Sequence, residues 1–209
     1  MIQIEHGDAL NFINALRGMR NPLDSWHLND SSEENGVFTM GAKDLDLAKR
    51  LCKAGSDHRK FMRQIFVSVD LTAPIYWWKE FDTYKVATVS NSCSTMHTIH
   101  KQPLTAALFS TDGLSDESRI AFDGFLAYLE SLRQRFNETK DMAVWREIIL
   151  LLPSSFNQKR TITMNYETLL NIYHARKTHK LTEWHVLCDW ILTLPYFADI
   201  IGISQEKGD

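Results

Sequence analysis

Side chains suited to binding an anion are concentrated in a polar run near the middle of the chain. The run from Ser90 to Thr95 (SNSCST) offers several hydroxyl groups and backbone amides within one short stretch. Successive amides in a turn form concave nests that bind anions. Lys85, a few residues earlier, adds a positive charge. An ordinary polar turn has the same composition, so the run predicts either a phosphate-binding turn or a solvated surface turn.

Three polar residues in the C-terminal part of the chain form a second candidate group. Asn165 and Asn171 flank the start of a predicted helix, and Arg176 lies at its end. An asparagine immediately before a helix stabilises it as N-cap by about 1 kcal/mol, and an arginine in the last turn interacts favourably with the helix dipole. The residue types alone do not decide between ligand binding and these local structural roles.

The histidines and cysteines do not match a usual metal-binding or catalytic motif. Cys93, His97 and His100 form one cluster, and a second contains three histidines between residues 174 and 185. Neither spacing is that of a common zinc site. A nucleophilic Cys93 needs a base and an orienting partner, and an inert thiol is the usual role of an isolated cysteine. We expect no bound metal.

The composition is that of an ordinary globular protein. The chain has 209 residues, of which 44% are apolar and 23% are charged, enough to bury a substantial core. A net charge of −3 gives no electrostatic footprint for nucleic acid. The N-terminal residues lack the pattern of a signal peptide, and no stretch is as long and apolar as a membrane span. With three widely spaced cysteines, typical of reduced thiols, the sequence predicts a soluble, cytoplasmic protein.

The spacing of apolar residues predicts an α+β protein. Strands are expected over residues 2–5, 61–69 and 158–164. Asp8 is predicted to cap a helix that ends at Gly18, and residues 21–36 to form a surface loop long enough to cover a ligand. Further helices are predicted over residues 43–54, 75–81, 115–140, 142–152, 166–176 and 181–194. No linker or repeat is visible, so residues 1–209 are treated as a single domain.

Residues 55–97 resemble the signature region of the flavin-dependent thymidylate synthase family. In that family a His precedes a Phe-rich strand, an Ala-Pro-Ile-like turn follows, and an Arg-His-Arg triplet is succeeded by a Ser. Here His58 precedes the predicted strand, and residues 73–75 (API) form the turn. Residues 83–85 (TYK) occupy the position of the triplet, and Asn91 and Ser94 follow at the spacing of the family pattern.

Residues 151–186 resemble a second family block. That block contains a Leu-Pro turn, a strand, an Asn, a helix with a second Asn, and an Arg shortly before a Trp. Both blocks stand in the family order and together cover more than a third of the chain. The matching residues of the second block are Leu152, Pro153, Asn165, Leu169, Asn171, Arg176 and Trp184.

The resemblance implies a central antiparallel sheet flanked by helices, and a homotetramer with sites shared between subunits. The implied reaction methylates dUMP to dTMP with FAD and methylenetetrahydrofolate, with NADPH as reductant. Arg176 is implied as the catalytic residue, because a cation near the uracil carbonyl stabilises charge that develops there. Arg176, Ser94 and Lys85 are implied to bind the nucleotide. FAD is implied to contact His58, Lys85, Asn91, Asn165 and Asn171.

Four positions depart from the family pattern. Thr83 and Tyr84 replace an Arg and a His, Met96 stands where an Arg binds the dUMP phosphate, and Glu167 replaces a flavin-contacting Arg. Loss of one charged partner of a buried pair typically costs about 2–5 kcal/mol. The departures therefore favour an alternative hypothesis, a non-catalytic nucleotide-binding or structural protein on the same fold.

Replacement charges could come from elsewhere in the chain. A third hypothesis is a different flavin or nucleotide chemistry in which Tyr84, Lys85 and Glu167 are new site residues. Residues 98–114 have no counterpart in the family pattern. The candidate replacement cations are Arg59, Lys60, Arg63, Lys159 and Arg160.

Overall fold

A computed structural model describes residues 2–203. The strands are β1 (Gln3–Leu10), β2 (Ser32–Glu34), β3 (Val37–Thr39), β4 (Phe66–Pro74), β5 (Val89–Ser92) and β6 (Asn157–Asn165). The α-helices are α1 (Phe12–Arg20), α2 (Ala42–Lys53), α3 (Ile75–Phe81), α4 (Thr95–Thr98), α5 (Asp116–Thr139), α6 (Met142–Leu151), α7 (Tyr166–Arg176), α8 (Thr182–Thr193) and α9 (Phe197–Ile201). Within residues 2–203, no helix combines the length and the apolar character needed to cross a membrane.

A four-stranded antiparallel sheet in the order β1-β4-β6-β5 organises the fold. In β4, alternate residues are buried, from Val67 through Val69 and Leu71 to Ala73, because successive side chains of a strand point to opposite faces of a sheet. Strands β2 and β3 form a separate antiparallel hairpin with Ser32 opposite Thr39. The predicted α+β fold with a central antiparallel sheet flanked by helices is confirmed.

The chain packs as two compact units. Unit 1 comprises the described residues of Met1–Ile4, Asp70–Thr83 and Ser90–Thr161. Its core lies between α5 and α6, with Leu129 and Ile148 fully buried. Ser115 accepts a hydrogen bond from the amide of Ser118 and caps α5, as predicted.

Unit 2 comprises the described residues of Glu5–Val69, Tyr84–Val89 and Ile162–Asp209. Helix α7 packs against α8 and against the 3-10 turn Lys60–Gln64, while α2 packs against α9. Tyr166 and Trp184 are completely buried in this unit. The Tyr166 hydroxyl donates to the carbonyl oxygen of Pro195 at 2.8 Å, which satisfies its polar atom inside the core.

Two sequence predictions in the N-terminal half are wrong. Asp8 lies within β1 instead of capping a helix, and α1 follows Asn11, whose left-handed backbone (φ 73°) turns the chain out of the strand. Gly18 lies inside α1 instead of ending it. A Cβ atom there would lie 2.5 Å from the side-chain oxygen of Gln64, so contact with the Gln64 side chain explains this glycine better than a helix stop.

The strand predicted over residues 61–69 begins only at Phe66. Phe61 and Met62 are both buried in the preceding 3-10 turn. Consecutive residues of a strand point to opposite faces of a sheet. The 3-10 turn, and not a strand, therefore accounts for the burial of both Phe61 and Met62.

Residues 21–36 form more regular structure than the predicted surface loop. They contain two 3-10 turns, Asn21–Leu23 and Trp26–Leu28, and the strand β2. The buried carboxylate of Asp44 accepts hydrogen bonds from the amide and the hydroxyl of Ser31 at 3.1 and 2.6 Å. It also forms a buried ion pair with Arg20.

Candidate functional site

In unit 2, Arg176 at the end of α7 is held by two aromatic side chains. Its Nε atom donates to the hydroxyl oxygen of Tyr84 at 2.8 Å. Its guanidinium carbon lies 4.6 Å from the ring centroid of Trp184 and 5.5 Å from that of Tyr84. Because Trp184 is fully buried, this cation–π contact is only partly solvated and stronger than an exposed one. The half-buried guanidinium is therefore fixed in one orientation.

The segment that carries Tyr84 is anchored to the start of α7. Thr168 donates its hydroxyl to the carbonyl oxygen of Val86 at 3.1 Å. Ala87 adopts a left-handed backbone (φ 55°), which reverses the chain just after this contact. The packing of α7 thus positions both the arginine and the tyrosine that touches it.

Lys85, His58 and Asn171 present exposed polar groups in the same unit. None of the three side chains forms a hydrogen bond or an ion pair with another residue in the range 2–203. His58 lies in the turn after α2, where its amide donates to the carbonyl oxygen of Gly55 at 3.0 Å. All three can therefore donate to a ligand.

Asn165 is buried and caps α7. Its side-chain oxygen accepts from the amide of Thr168 at 2.9 Å, and its side-chain nitrogen donates to the carbonyl oxygen of Arg63 at 3.3 Å. The local role expected for this residue is confirmed. Its contact with FAD stays a prediction.

Glu167, the residue that departs from the family pattern by its charge, pairs with Arg59. The Arg59 Nε atom lies 2.8 Å from Glu167 Oε2, and the two side chains are 19% and 11% exposed. The negative charge on α7 is therefore neutralised by a residue 108 positions away. No motif predicted this pairing, although Arg59 was among the candidate replacement cations.

In unit 1, the hydroxyl-rich run leads from β5 into α4. Cys93 donates its amide to the carbonyl oxygen of Lys159 at 2.8 Å, which ties the run to β6. Ser94 is half-buried at the N-terminus of α4, and its hydroxyl makes no hydrogen bond to the described residues. Asn91 is exposed in β5, and Met96 is 51% exposed.

A cavity of about 410 Å³ opens beside this run. The hydroxyls of Thr95 and Thr98, the amide of Gln158 and the ammonium groups of Lys101 and Lys159 give its wall hydrogen-bonding groups and positive charge. Residues 98–114, which sequence reasoning left without a role, supply much of the lining. The complete lining is Thr72, Cys93, Thr95, Thr98, Ile99, Lys101, Gln102, Leu104, Leu108, Phe156, Asn157, Gln158 and Lys159.

Two predicted replacement cations in unit 1 have protein partners. Arg160 lies 2.7 Å from Asp82 Oδ1, and its guanidinium carbon is 4.2 Å from the ring centroid of Trp78. Lys159 lies 3.5 Å from Asp70 Oδ2 and is 44% exposed. Lys159 therefore retains access to the cavity, whereas Arg160 stabilises the protein.

The structure holds no group of three His, Cys, Asp or Glu side chains, among residues 2–203, arranged for a metal ion. His185 and His179 contact each other through Nε2 of His185 and the backbone oxygen of His179 at 2.6 Å. The carbonyl oxygen of His100 accepts from Arg133.

Comparison with known proteins gives no family model and no curated sequence that matches the chain. Solved structures do match it. Thymidylate synthase X (ThyX) from Helicobacter pylori, crystallised with FAD and dUMP, superimposes with a TM-score of 0.71 over 96% of this chain and 95% of that one, at 16% identity. The chain has the ThyX fold.

A second ThyX-fold structure is a UMP/dUMP methylase, PolB from Streptomyces cacaoi, bound with 5-Br dUMP. It matches with a TM-score of 0.65 over 97% of this chain and 95% of that one, at 14% identity. The resemblance inferred from two sequence blocks is thus confirmed at the level of the fold. The site roles predicted for this chain remain predictions.

The side chains expected at a flavin fit an anionic dinucleotide in unit 2. Lys85 supplies an exposed cation, and His58 and Asn171 supply exposed polar groups. Glu167 would repel the diphosphate if unpaired, but the guanidinium of Arg59 at 2.8 Å compensates its charge.

Proposed function

We propose that this protein is a flavin-dependent methylase of a uracil nucleotide, with dUMP as substrate. The observation that carries the proposal is the contact between Arg176 and Tyr84. These residues occupy the pyrimidine-contacting and triplet positions of the ThyX pattern, and they lie side by side although 92 positions apart in the chain. The ThyX fold supports the proposal, because proteins of this fold have been crystallised with dUMP or its 5-bromo analogue.

Arg176 would act on the uracil ring. A guanidinium presents donors in a rigid planar fork that suits a carbonyl oxygen. Tyr84 and Trp184 already fix the plane of the guanidinium. The side chain therefore needs little reorganisation when charge develops on the substrate. Such a preorganised cation lowers the barrier by stabilising the transition state more than the ground state.

Ser94 and Lys85 would bind the nucleotide. The Ser94 hydroxyl makes no hydrogen bond to any described residue, and Lys85 is exposed. A phosphate accepts charge-assisted hydrogen bonds from such groups. Thr95 and Lys159, in the wall of the unit 1 cavity beside Ser94, are further candidates that sequence reasoning did not single out for this role.

FAD would be held by Lys85, His58, Asn91, Asn165 and Asn171. When bound and reduced, the flavin supplies the hydride that completes transfer of the one-carbon unit from methylenetetrahydrofolate, with NADPH as the reductant. Lys85 would also offset the negative charge of the cofactor.

We further propose that the protein forms a homotetramer in the cytoplasm. Ile120 is 74% exposed and Tyr128 52% exposed on α5, and Leu150 on α6 is 71% exposed. The family resemblance motivates this proposal, and exposed apolar side chains of this kind are available for contacts between subunits. Light scattering coupled to gel filtration should give four times the mass of one chain, and a monomer would contradict this part of the proposal.

The test of function starts from the purified protein incubated with FAD and passed through a gel-filtration column. We expect retained flavin absorbance, bleaching by NADPH, and formation of dTMP from dUMP and methylenetetrahydrofolate. Arg176→Met should reduce dTMP formation at least a hundredfold, while Arg135→Gln, on the exposed side of α5, should not. Binding of dUMP without dTMP formation would favour a nucleotide-binding protein, and binding of neither dUMP nor FAD would overturn the proposal.

A further inference from the structure

Unit 2 contains a second cavity, between α2, α7 and the end of α9. Its volume is about 410 Å³. Lys49, Cys52 and Lys53 face it from α2, since residues three and four positions apart share one side of a helix. The complete lining is Lys49, Cys52, Lys53, Arg59, Leu170, His174, Ile200, Ile201 and Gly202.

The lining carries an excess of positive charge. Lys49 and Lys53 are exposed, and neither forms an ion pair or a hydrogen bond with the residues the structure describes. Arg59 is the third cation and is paired with Glu167. No carboxylate is among the lining residues of the described chain. Two lysine charges therefore remain uncompensated at the cavity.

His174 is a further residue of the lining. Burial lowers the pKa of its imidazole, and the positive charges of Lys177 and Arg59 lower it further. Of these causes only the positive charges favour a bound anion, because burial disfavours any charged group.

The opposite part of the wall is apolar. Leu170 and Ile200 are buried core residues that border the cavity, and Ile201 lies beside them. A ligand that fills this space therefore meets lysine ammonium groups on one side and aliphatic side chains on the other.

We propose that this cavity binds a small organic oxyanion, with clustered phosphate or carboxylate oxygens on Lys49, Lys53 and Arg59 and an apolar portion against Leu170 and Ile200. Arg176 is not among the lining residues, and the proposal does not require the nucleotide-methylating function. Charge-assisted hydrogen bonds from two ammonium groups and a guanidinium supply the recognition.

Isothermal titration calorimetry of the intact protein with inorganic pyrophosphate, and separately with citrate, tests the proposal. The double variant Lys49→Gln/Lys53→Gln should bind about a hundredfold more weakly, because each of the two lost charge-assisted bonds is worth about a factor of ten. Lys43→Gln/Arg50→Gln removes the same charge from the same helix at residues that line a different cavity, and should retain full affinity. The double variant Lys101→Gln/Lys159→Gln changes two residues that line the unit 1 cavity. A loss of anion affinity in this variant alone would assign the binding to the unit 1 cavity and overturn the proposal.

The location is tested by NMR titration of the His174 ring. A bound anion should raise the titration midpoint of His174, and this rise should be much smaller in the Lys49→Gln/Lys53→Gln variant. Preference for pyrophosphate over citrate would identify a phosphate ligand, and the reverse preference a polycarboxylate. Failure of both probes to bind, or equal affinity in the Lys49/Lys53 and Lys43/Arg50 double variants, would overturn the proposal.

Discussion

The Nε atom of Arg176 donates to the hydroxyl oxygen of Tyr84 at 2.8 Å, across 92 positions of sequence. The sequence resemblance predicts that Tyr84 takes the position of a histidine of the ThyX pattern, which would exchange one polar aromatic residue for another. A guanidinium only donates hydrogen bonds, and a tyrosine hydroxyl oxygen can accept one from it. The contact therefore fixes the arginine that we propose as the uracil-binding group.

Removal of the Tyr84 hydroxyl should weaken nucleotide binding without unfolding the protein. A hydrogen bond to a charged group contributes about 1.5–3 kcal/mol, so Tyr84→Phe should raise the dissociation constant for dUMP by about tenfold or more. Calorimetric titration with dUMP measures the change. Glu33→Gln, at an exposed position of β2, is the control and should leave the constant unchanged, and an unchanged constant in Tyr84→Phe would refute the orienting role.

The Arg59–Glu167 ion pair should contribute to stability because both side chains are largely buried. Glu167→Gln leaves the guanidinium without its carboxylate and should lower the free energy of unfolding by about 1–3 kcal/mol. Urea denaturation, monitored by tryptophan fluorescence, measures this change in the free energy of unfolding. The double variant Arg59→Met/Glu167→Met should lose less than the sum of the single variants.

An exposed pair on α2 provides the comparison for this prediction. Arg50 and Asp46 are 66% and 67% exposed and lie 3.0 Å apart. Asp46→Asn should change the free energy of unfolding by less than about 0.5 kcal/mol. Equal effects at Glu167 and Asp46 would mean that the Arg59–Glu167 pair is as well solvated as a surface pair.

Helix α7 was predictable because its signals are local. Asn165 precedes it with the side chain of an N-cap, and the structure confirms both this cap and the last helical residue, Arg176. Helix α6 ends close before Pro153, as the proline predicts. The ThyX fold was predictable from the order and spacing of the two sequence blocks that resemble the family pattern.

Contacts between distant segments were not predictable in the same way. Nothing local to Glu167 indicates that Arg59 will neutralise it, and nothing local to Gly18 indicates that Gln64 will lie against its Cα atom. The part of the cavity wall that residues 98–114 supply also depends on packing against β6. One sequence without tertiary contacts leaves such pairings undetermined.

The carboxylate of Asp44 should anchor residues 21–36. It is fully buried and accepts hydrogen bonds from Arg20, from the amide of Asp30 and from Ser31. Asp44→Asn leaves the Arg20 guanidinium buried without a counter-charge, which typically costs about 3–5 kcal/mol. Hydrogen exchange should show faster exchange of the Ser31 amide in the variant.

A control for this prediction uses an exposed acid from the same segment. Glu33 is exposed in β2, and Glu33→Gln should leave both stability and the exchange of the Ser31 amide unchanged within about 0.5 kcal/mol. If Asp44→Asn also leaves the free energy of unfolding and the exchange of the Ser31 amide unchanged, the hydrogen bonds of Asp44 do not anchor residues 21–36.

Protonation of Glu130 should make unit 1 less stable in acid. Hydrogen bonds from the Arg133 guanidinium lower the pKa of Glu130 from 4.5 to about 2, and the amide of Leu104 and the side chain of Gln134 contribute. Because the folded-state pKa lies below the unfolded-state value, the ionised carboxylate stabilises the fold above about pH 5, and this contribution is lost as the pH falls towards 2. The full size of this contribution is about 2–3 kcal/mol.

Urea denaturation at pH 6 should show Glu130→Gln less stable than the natural sequence by about this amount. At pH 3 the difference in the free energy of unfolding between the two proteins should be smaller. Arg133→Met removes the main cause of the lowered pKa and should show the same narrowing, whereas a gap independent of pH would mean that Glu130 acts through packing and not through its charge.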